Sequence, residues 1–160
     1  MEEKQFTFSL KVYTTVQELP ADEQMLINAA RLALDNAYAP YSNFKVGAAL
    51  LLANGKTVTG SNQENAAYPA CICAEGTAFS AASSLYPDVA ILKMAVTVKS
   101  DRRVIENPVA PCGICRQRIL EYENRFSQPI TIIMAGETGE VYSVASVKDL
   151  LPLHFSKSDL

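Results

Sequence analysis

The chain carries a single histidine, His154, among its 160 residues, and no apolar run near the roughly 20 residues that crossing a bilayer takes. Its opening, Met1-Glu2-Glu3-Lys4, lacks the basic and apolar regions of a signal peptide. There is no internal repeat, low-complexity stretch or linker-like segment. Positive charge is not in excess either. A net charge of −3 and a pI near 5.2 leave no electrostatic footprint for nucleic acid. These shortages argue against a membrane protein, a secreted protein, a repeat array and a nucleic-acid binder. They lead us to expect a cytoplasmic protein with reduced cysteines. What is there is a chain 49% hydrophobic and 19% charged, the balance of one globular domain over residues 1–160 with a real core.

Cysteine is scarce too, but its placement is informative. Two of the four stand in Pro69-Ala70-Cys71-Ile72-Cys73-Ala74-Glu75 and two in Pro111-Cys112-Gly113-Ile114-Cys115-Arg116-Gln117. In a reducing compartment a Cys-x-x-Cys pair points to metal binding or redox chemistry rather than a disulfide.

Apolar positions Leu26, Ala29, Ala30, Ala33, Leu34 and Ala37 keep a 3.6-residue period and predict a helix from about Asp22 to Ala37, stopped by Pro40. Before it, residues 1–19 read as a leader packing on the domain, with a short strand over Phe6–Val12. Lys45–Ala53 and Lys56–Gly60 read as a hairpin about Asn54-Gly55. Cys73–Leu85 and Gly113–Asn124 read as helices, and Ile91–Val98, Ile130–Ala135 and Val141–Val144 as strands, with Ser146 capping a last short helix through Leu150. A hairpin followed by strand–helix alternation predicts a three-layer α/β/α sandwich with a mixed, mostly five-stranded sheet.

Both cysteine motifs then fall at strand-to-helix junctions. Helix N-termini carry free N–H groups and partial positive charge, which favour the thiolate that a metal binds. Zinc held by three protein ligands keeps a fourth position for water and lowers that water's pKa. Glu75, in the first turn beside Cys73, is placed to move protons between that water and a substrate. A ligand-x-Glu followed by Pro-Cys-x-x-Cys is the general pattern of zinc deaminases. Two blander readings remain open at this point: a closed four-cysteine zinc knot that includes Cys71, and a redox dithiol at Cys112 and Cys115. Cys71 alone reads as a small buried residue. Arg116 and Gln117 read as supports for the ligand loop, while Arg118 and Glu121 read as a solvated helix face. His154 reads as a surface or interface residue.

These motifs, with Tyr38-Ala39-Pro40-Tyr41-Ser42-Asn43-Phe44-Lys45-Val46-Gly47-Ala48-Ala49, Asn62-Gln63-Glu64-Asn65-Ala66-Ala67-Tyr68-Pro69 and Leu150-Leu151-Pro152-Leu153-His154-Phe155, resemble the small homotetrameric cytidine deaminases over nearly the whole chain. The resemblance implies zinc-dependent hydrolytic deamination of cytidine and 2′-deoxycytidine in pyrimidine salvage. It implies one Zn²⁺ per chain on Cys73, Cys112 and Cys115, with Glu75 as proton shuttle. It further implies that Phe44, Asn62, Glu64 and the Ala74 backbone bind the nucleoside, and that Ala66, Tyr68 and Phe155 complete a neighbouring subunit's site in a tetramer. Rival readings are a blasticidin S-type deaminase, a polynucleotide-editing deaminase and a non-catalytic nucleoside-binding paralogue. The Asn62/Glu64 pair opposes the first, and the absence of basic surface opposes the second.

Two positions depart from the family pattern: Gly76 where arginine is usual, and Ala110 where serine is usual. Three thiolates on Zn²⁺ leave a net charge of about −1. The arginine that would offset it is missing from its usual place, so an active but slower enzyme is expected, with helix N–H groups carrying part of the thiolate charge.

Overall fold

A computed structural model describes residues 1–160. Its six-stranded sheet runs in the order β1-β6-β5-β4-β2-β3. The strands are β1 (Lys11–Tyr13), β2 (Phe44–Leu52), β3 (Thr57–Ser61), β4 (Ile91–Ser100), β5 (Thr131–Ala135) and β6 (Val141–Val144). Only β4 and β5 pair in parallel among the bonded neighbours. Three helices cover the sheet: α1 (Ala21–Ala33), α2 (Ala74–Leu85) and α3 (Gly113–Phe126).

The period-2 alternation of the strands sorts the core into two layers. Leu50, Met94, Val96, Ile132 and Met134 face α2 and α3, where they meet Ala78, Phe79, Ile119 and Leu120. Ala49, Ala95, Ile133 and Ala135 face the other way, against Leu26, Ile27 and Ala30 of α1. Covered on both faces, β4 reads as the near-continuous apolar run seen in its sequence. The three-layer sandwich is as expected, but the sheet gains a sixth strand. Lys11–Tyr13 pairs with Val141–Ser143, a contact that three residues of leader cannot announce by pattern. The leader packs only from there on. Residues 1–10 lie exposed rather than forming a strand from Phe6, while Tyr13, Val16 and Leu19 pack beside α1. The first helix also ends sooner than Ala37. It tightens into a 3₁₀ turn over Leu34–Asn36, and the chain leaves in extended conformation at Ala37. The last short helix is likewise a 3₁₀ turn, Val147–Leu150, with the Ser146 hydroxyl accepting from the Lys148 N–H as expected.

Topology decides where the chemistry gathers. Strands β3 and β4 are each antiparallel to β2, so they point the same way. The helices that follow them therefore start at the same end of the sheet, at strand carboxyl ends, where α/β sheets place their ligands. Helix α2 lies unusually close to β3. A Cβ built on Gly60 would stand 2.5 Å from the Ala74 carbonyl oxygen and still closer to the Ala78 nitrogen. The C-terminal end of α3 is pinned by the buried Glu123. Its carboxylate accepts from the N–H groups of Ile130 (2.9 Å) and Val147 (3.0 Å) and from the Ser146 hydroxyl (2.7 Å).

Candidate metal centre and active site

Cys73 and Cys112 are the N-cap residues of α2 and α3, where Ser or Asp commonly stands, and neither side chain caps its helix. Both sulfurs are thus left to point outward. Cys115 lies three residues beyond Cys112 and returns to the same end of α3. The sulfurs of Cys73 and Cys112 are 3.8 Å apart, and all three lie within 4.8 Å of one another. A tetrahedral ion with bonds of about 2.3 Å to sulfur spaces its sulfurs by roughly 3.8 Å, the separation of Cys73 and Cys112, so the donor set fits zinc. The thiols also need a cation. The neighbouring Cys115 thiol draws Cys73 down to about 6, while its bond to Cys73 and burial push Cys115 upward. One thiolate forms readily in this cluster, and three do so only around a positive ion.

Cys71 is not a member of the cluster. Its sulfur accepts from the Asn65 N–H at 3.2 Å and leans back on the Asn65 carbonyl, so the closed four-cysteine knot is not formed. Nor is Cys71 buried, as its small size suggested: it is exposed, at the rim of the cavity beside the thiolates. The dithiol reading gives way as well, since Cys112 approaches Cys73 from another segment as a metal donor would.

Glu75 is 4% exposed, in the first turn of α2. Burial raises its carboxyl above the ordinary range. It faces the same cavity, of about 310 Å³, as Cys73 and Cys112. Phe44, Val46 and Val96 form an apolar wall, Asn62 and Glu64 a polar one, and Val109 and Ala110 close the side next to the second cysteine motif. An apolar wall beside a buried acid and a cluster of thiols suits an aromatic base, and the polar wall suits hydroxyl groups.

The polar wall is built by hydrogen bonds to its own backbone. The Asn62 side chain accepts from the Val46 N–H (2.8 Å) and donates to the Phe44 carbonyl (2.9 Å). Asn62 therefore holds the Phe44 segment in place and keeps one N–H and one lone pair for a ligand. Glu64 Oε2 accepts from the N–H groups of Tyr41 (2.8 Å) and Ser42 (3.2 Å). The Ser42 hydroxyl, above all, and then these two N–H groups hold this carboxyl below its usual range, so it is an anion; its second oxygen accepts no hydrogen bond within the chain.

Arg116 does support the ligand loop. Its Nε donates to the carbonyl of Pro111, next to Cys112, and its Nη1 to Leu150. Gln117 donates to the Phe155 carbonyl. Arg118 is the correction. Rather than lying on a solvated face, it crosses to α2 and fills the space beside Gly76. The signal available in sequence was the glycine itself, out of place inside a helix and a mark of close approach. Ala74 is fully buried between Cys73 and Glu75. Ala66, Tyr68 and Phe155 are exposed and do not line this chain's cavity, although Tyr68 meets Tyr41 edge-on at 6.3 Å. His154 Nδ1 lies 3.2 Å from the Leu151 carbonyl, outside the cavity.

Residues 20–127 match the family model described as the cytidine and deoxycytidylate deaminase zinc-binding region. A cytidine deaminase of Halalkalibacterium halodurans is 39% identical over 140 residues, covering 87% of this chain and 98% of the relative. One from Sporosarcina psychrophila is 43% identical over 140 residues, covering 87% and 95%. The crystal structure of cytidine deaminase from Burkholderia pseudomallei superposes with a TM-score of 0.70 at 40% identity, covering 82% of this chain and 97% of that one.

Proposed function

From the premise that the chain belongs to the cytidine and deoxycytidylate deaminase family, we propose that it hydrolyses cytidine and 2′-deoxycytidine to the corresponding uridines and ammonia. The observation that carries the reading is a cavity lined by Cys73, Cys112 and the buried Glu75 carboxyl, with the Cys115 sulfur within 4.8 Å of the other two. Cys73, Cys112 and Cys115 hold the zinc, which when bound supplies Lewis acidity and a water acidified toward neutral pH. Glu75 takes the proton released as oxygen is added at carbon 4 and delivers it to the departing nitrogen. Burial favours its protonated form, and so favours the delivery step. Phe44 and Val46 hold the base against the cavity wall, while Asn62 and the free oxygen of Glu64 take the sugar hydroxyls. The Ala74 backbone, at the head of α2, faces the base. Remote binding of the sugar supports the geometry at carbon 4.

The whole chain serves as one domain in pyrimidine salvage in the cytoplasm, as a homotetramer; none of its helices is long and apolar enough to cross a membrane. Exposed Tyr68 (72%) and Phe155 (59%) are large apolar groups that a neighbouring subunit would cover, and Ala66 is exposed as well. The test is a spectrophotometric assay on cytidine with ammonia detection. Turnover should be lost on chelation, and Glu75→Gln should keep zinc and fold while losing about 10²–10⁴-fold in kcat. Near-wild-type turnover by Glu75→Gln would refute the role of Glu75. Zinc-loaded wild type that deaminates no aminopyrimidine nucleoside would refute the function. An active monomer in light scattering would refute the shared site.

A further inference from the structure

Gly76 directly follows Glu75 and has no room for even a methyl group. A Cβ built there would meet Nη1 of Arg118 head-on, with Arg118 Cζ and Ile72 Cγ2 each at 3.2 Å. Arg118 lies on α3 one turn beyond Cys115, and Gly76 lies on α2 one turn beyond Cys73. The guanidinium therefore spans the two ligand-bearing helices just behind the sulfurs. It makes no hydrogen bond and no ion pair with any group of the chain. Arg116, the nearer arginine in sequence, is occupied with the Pro111 and Leu150 carbonyls. A partly buried cation without a partner, set beside three thiolates and a carboxyl, needs an anionic neighbour, and the thiolate cage provides one.

We propose that Arg118 is a positioning residue of the zinc centre. Its guanidinium offsets the excess negative charge of Cys73, Cys112 and Cys115 from the α3 side, and Gly76 is kept bare to admit it. The inference rests on the zinc reading given above. It adds a cation to the helix N–H groups expected to carry part of the thiolate charge, and it makes Gly76 and Arg118 a single device. The guanidinium stabilises the deprotonated sulfurs, so the cage holds its cation more tightly. It also draws electron density from the thiolates, which keeps the bound ion a stronger Lewis acid.

The experiment is zinc competition against a chromophoric chelator, on intact protein. Arg118→Met keeps the aliphatic stem and removes the charge, and should weaken zinc retention about 10- to 100-fold. Arg118→Lys should retain most of the affinity. In cobalt-substituted protein, the sulfur-to-metal charge-transfer band of Arg118→Met should move to longer wavelength, a change that loss of packing alone would not give. Gly76→Ala expels the guanidinium and should weaken zinc in the wild-type background but add no loss in the Arg118→Met background. If Arg118→Met lowers the melting temperature yet binds zinc like wild type, or if the Gly76→Ala effect is equal in both backgrounds, the proposal is wrong. Wild-type protein that takes up no zinc would overturn the metal reading and this proposal together, whereas equal zinc affinity in wild type and Arg118→Met overturns this proposal alone.

Discussion

Replacing Gly60 by alanine should damage the active site from beneath. Gly60 sits on β3 under the first turn of α2, and an added Cβ would stand 2.5 Å from the Ala74 carbonyl oxygen and closer to the Ala78 nitrogen. Ordinary contact for a Cβ begins near 3.4 Å, so the first turn of α2 must lift by about 1 Å. Both obstructing atoms are backbone, so no side chain can rotate away. Overpacking of this kind costs about 1–3 kcal/mol, a fall of roughly 3–10 °C in Tm for a chain of this size. The functional loss should be larger than the stability loss implies. Ala74 stands between Cys73 and Glu75, so the shift is delivered to the Cys73 sulfur and the Glu75 carboxyl together, the two groups proposed to hold zinc and to carry the proton. A misplacement of about 1 Å can lower catalysis by ~10²-fold. The assay is kcat/KM on cytidine beside zinc content and thermal melting. Gly55→Ala is the control. It places alanine at φ +79° in the open hairpin turn with nothing within 4 Å, so it should lower stability by roughly 1–2 kcal/mol and leave kcat/KM unchanged. If Gly60→Ala keeps both the Tm and the kcat/KM of wild type, α2 is not seated on β3 in this way and the reasoning fails.

Cys71→Ser should keep full zinc content by metal analysis while Cys112→Ser loses it; equal loss from both would restore the four-cysteine knot. Glu64→Ala should lower kcat/KM for cytidine and deoxycytidine alike, and free cytosine should be a very poor substrate for the wild type. Cytosine turned over as fast as cytidine would remove the sugar-binding role. Glu123→Ala leaves two N–H groups and a hydroxyl without their acceptor, at about 1–3 kcal/mol for a buried group, so thermal melting should show a loss of several degrees with cytidine KM little changed. An unchanged Tm would mean that water replaces the carboxylate.

The chemistry was legible in the linear sequence because it is local. A cysteine two residues before Glu75 and the Cys112/Cys115 pair each occupy one helix start, and the helix start itself prepares the thiolates. The strands with strong alternation or continuous apolar character, β2 and β4, could be read for the same reason: their burial is written in their own period. Strand β1 could be read only in part: a leader strand is expected over Phe6–Val12, but that just Lys11–Tyr13 pairs depends on the edge that β6 offers. Spacing along the chain also left open whether Cys71 or another cysteine completes the metal site. That was decided by the direction of β3 and β4, which brings the heads of α2 and α3 to one end of the sheet and leaves Cys71 bonded to Asn65. The bracing of the Phe44 segment by the Asn62 side chain depends on β2 lying beside it. The pairing of Gly76 with Arg118 depends on the packing of two helices 42 positions apart in sequence, 118 minus 76, and no local pattern encodes an approach between distant segments. Candidate metal-binding and proton-moving groups can be read along the chain because residue identity and short-range spacing are covalent. Which of them share a cavity, and which cation stands beside the thiols, follows from folding because those depend on distances through space.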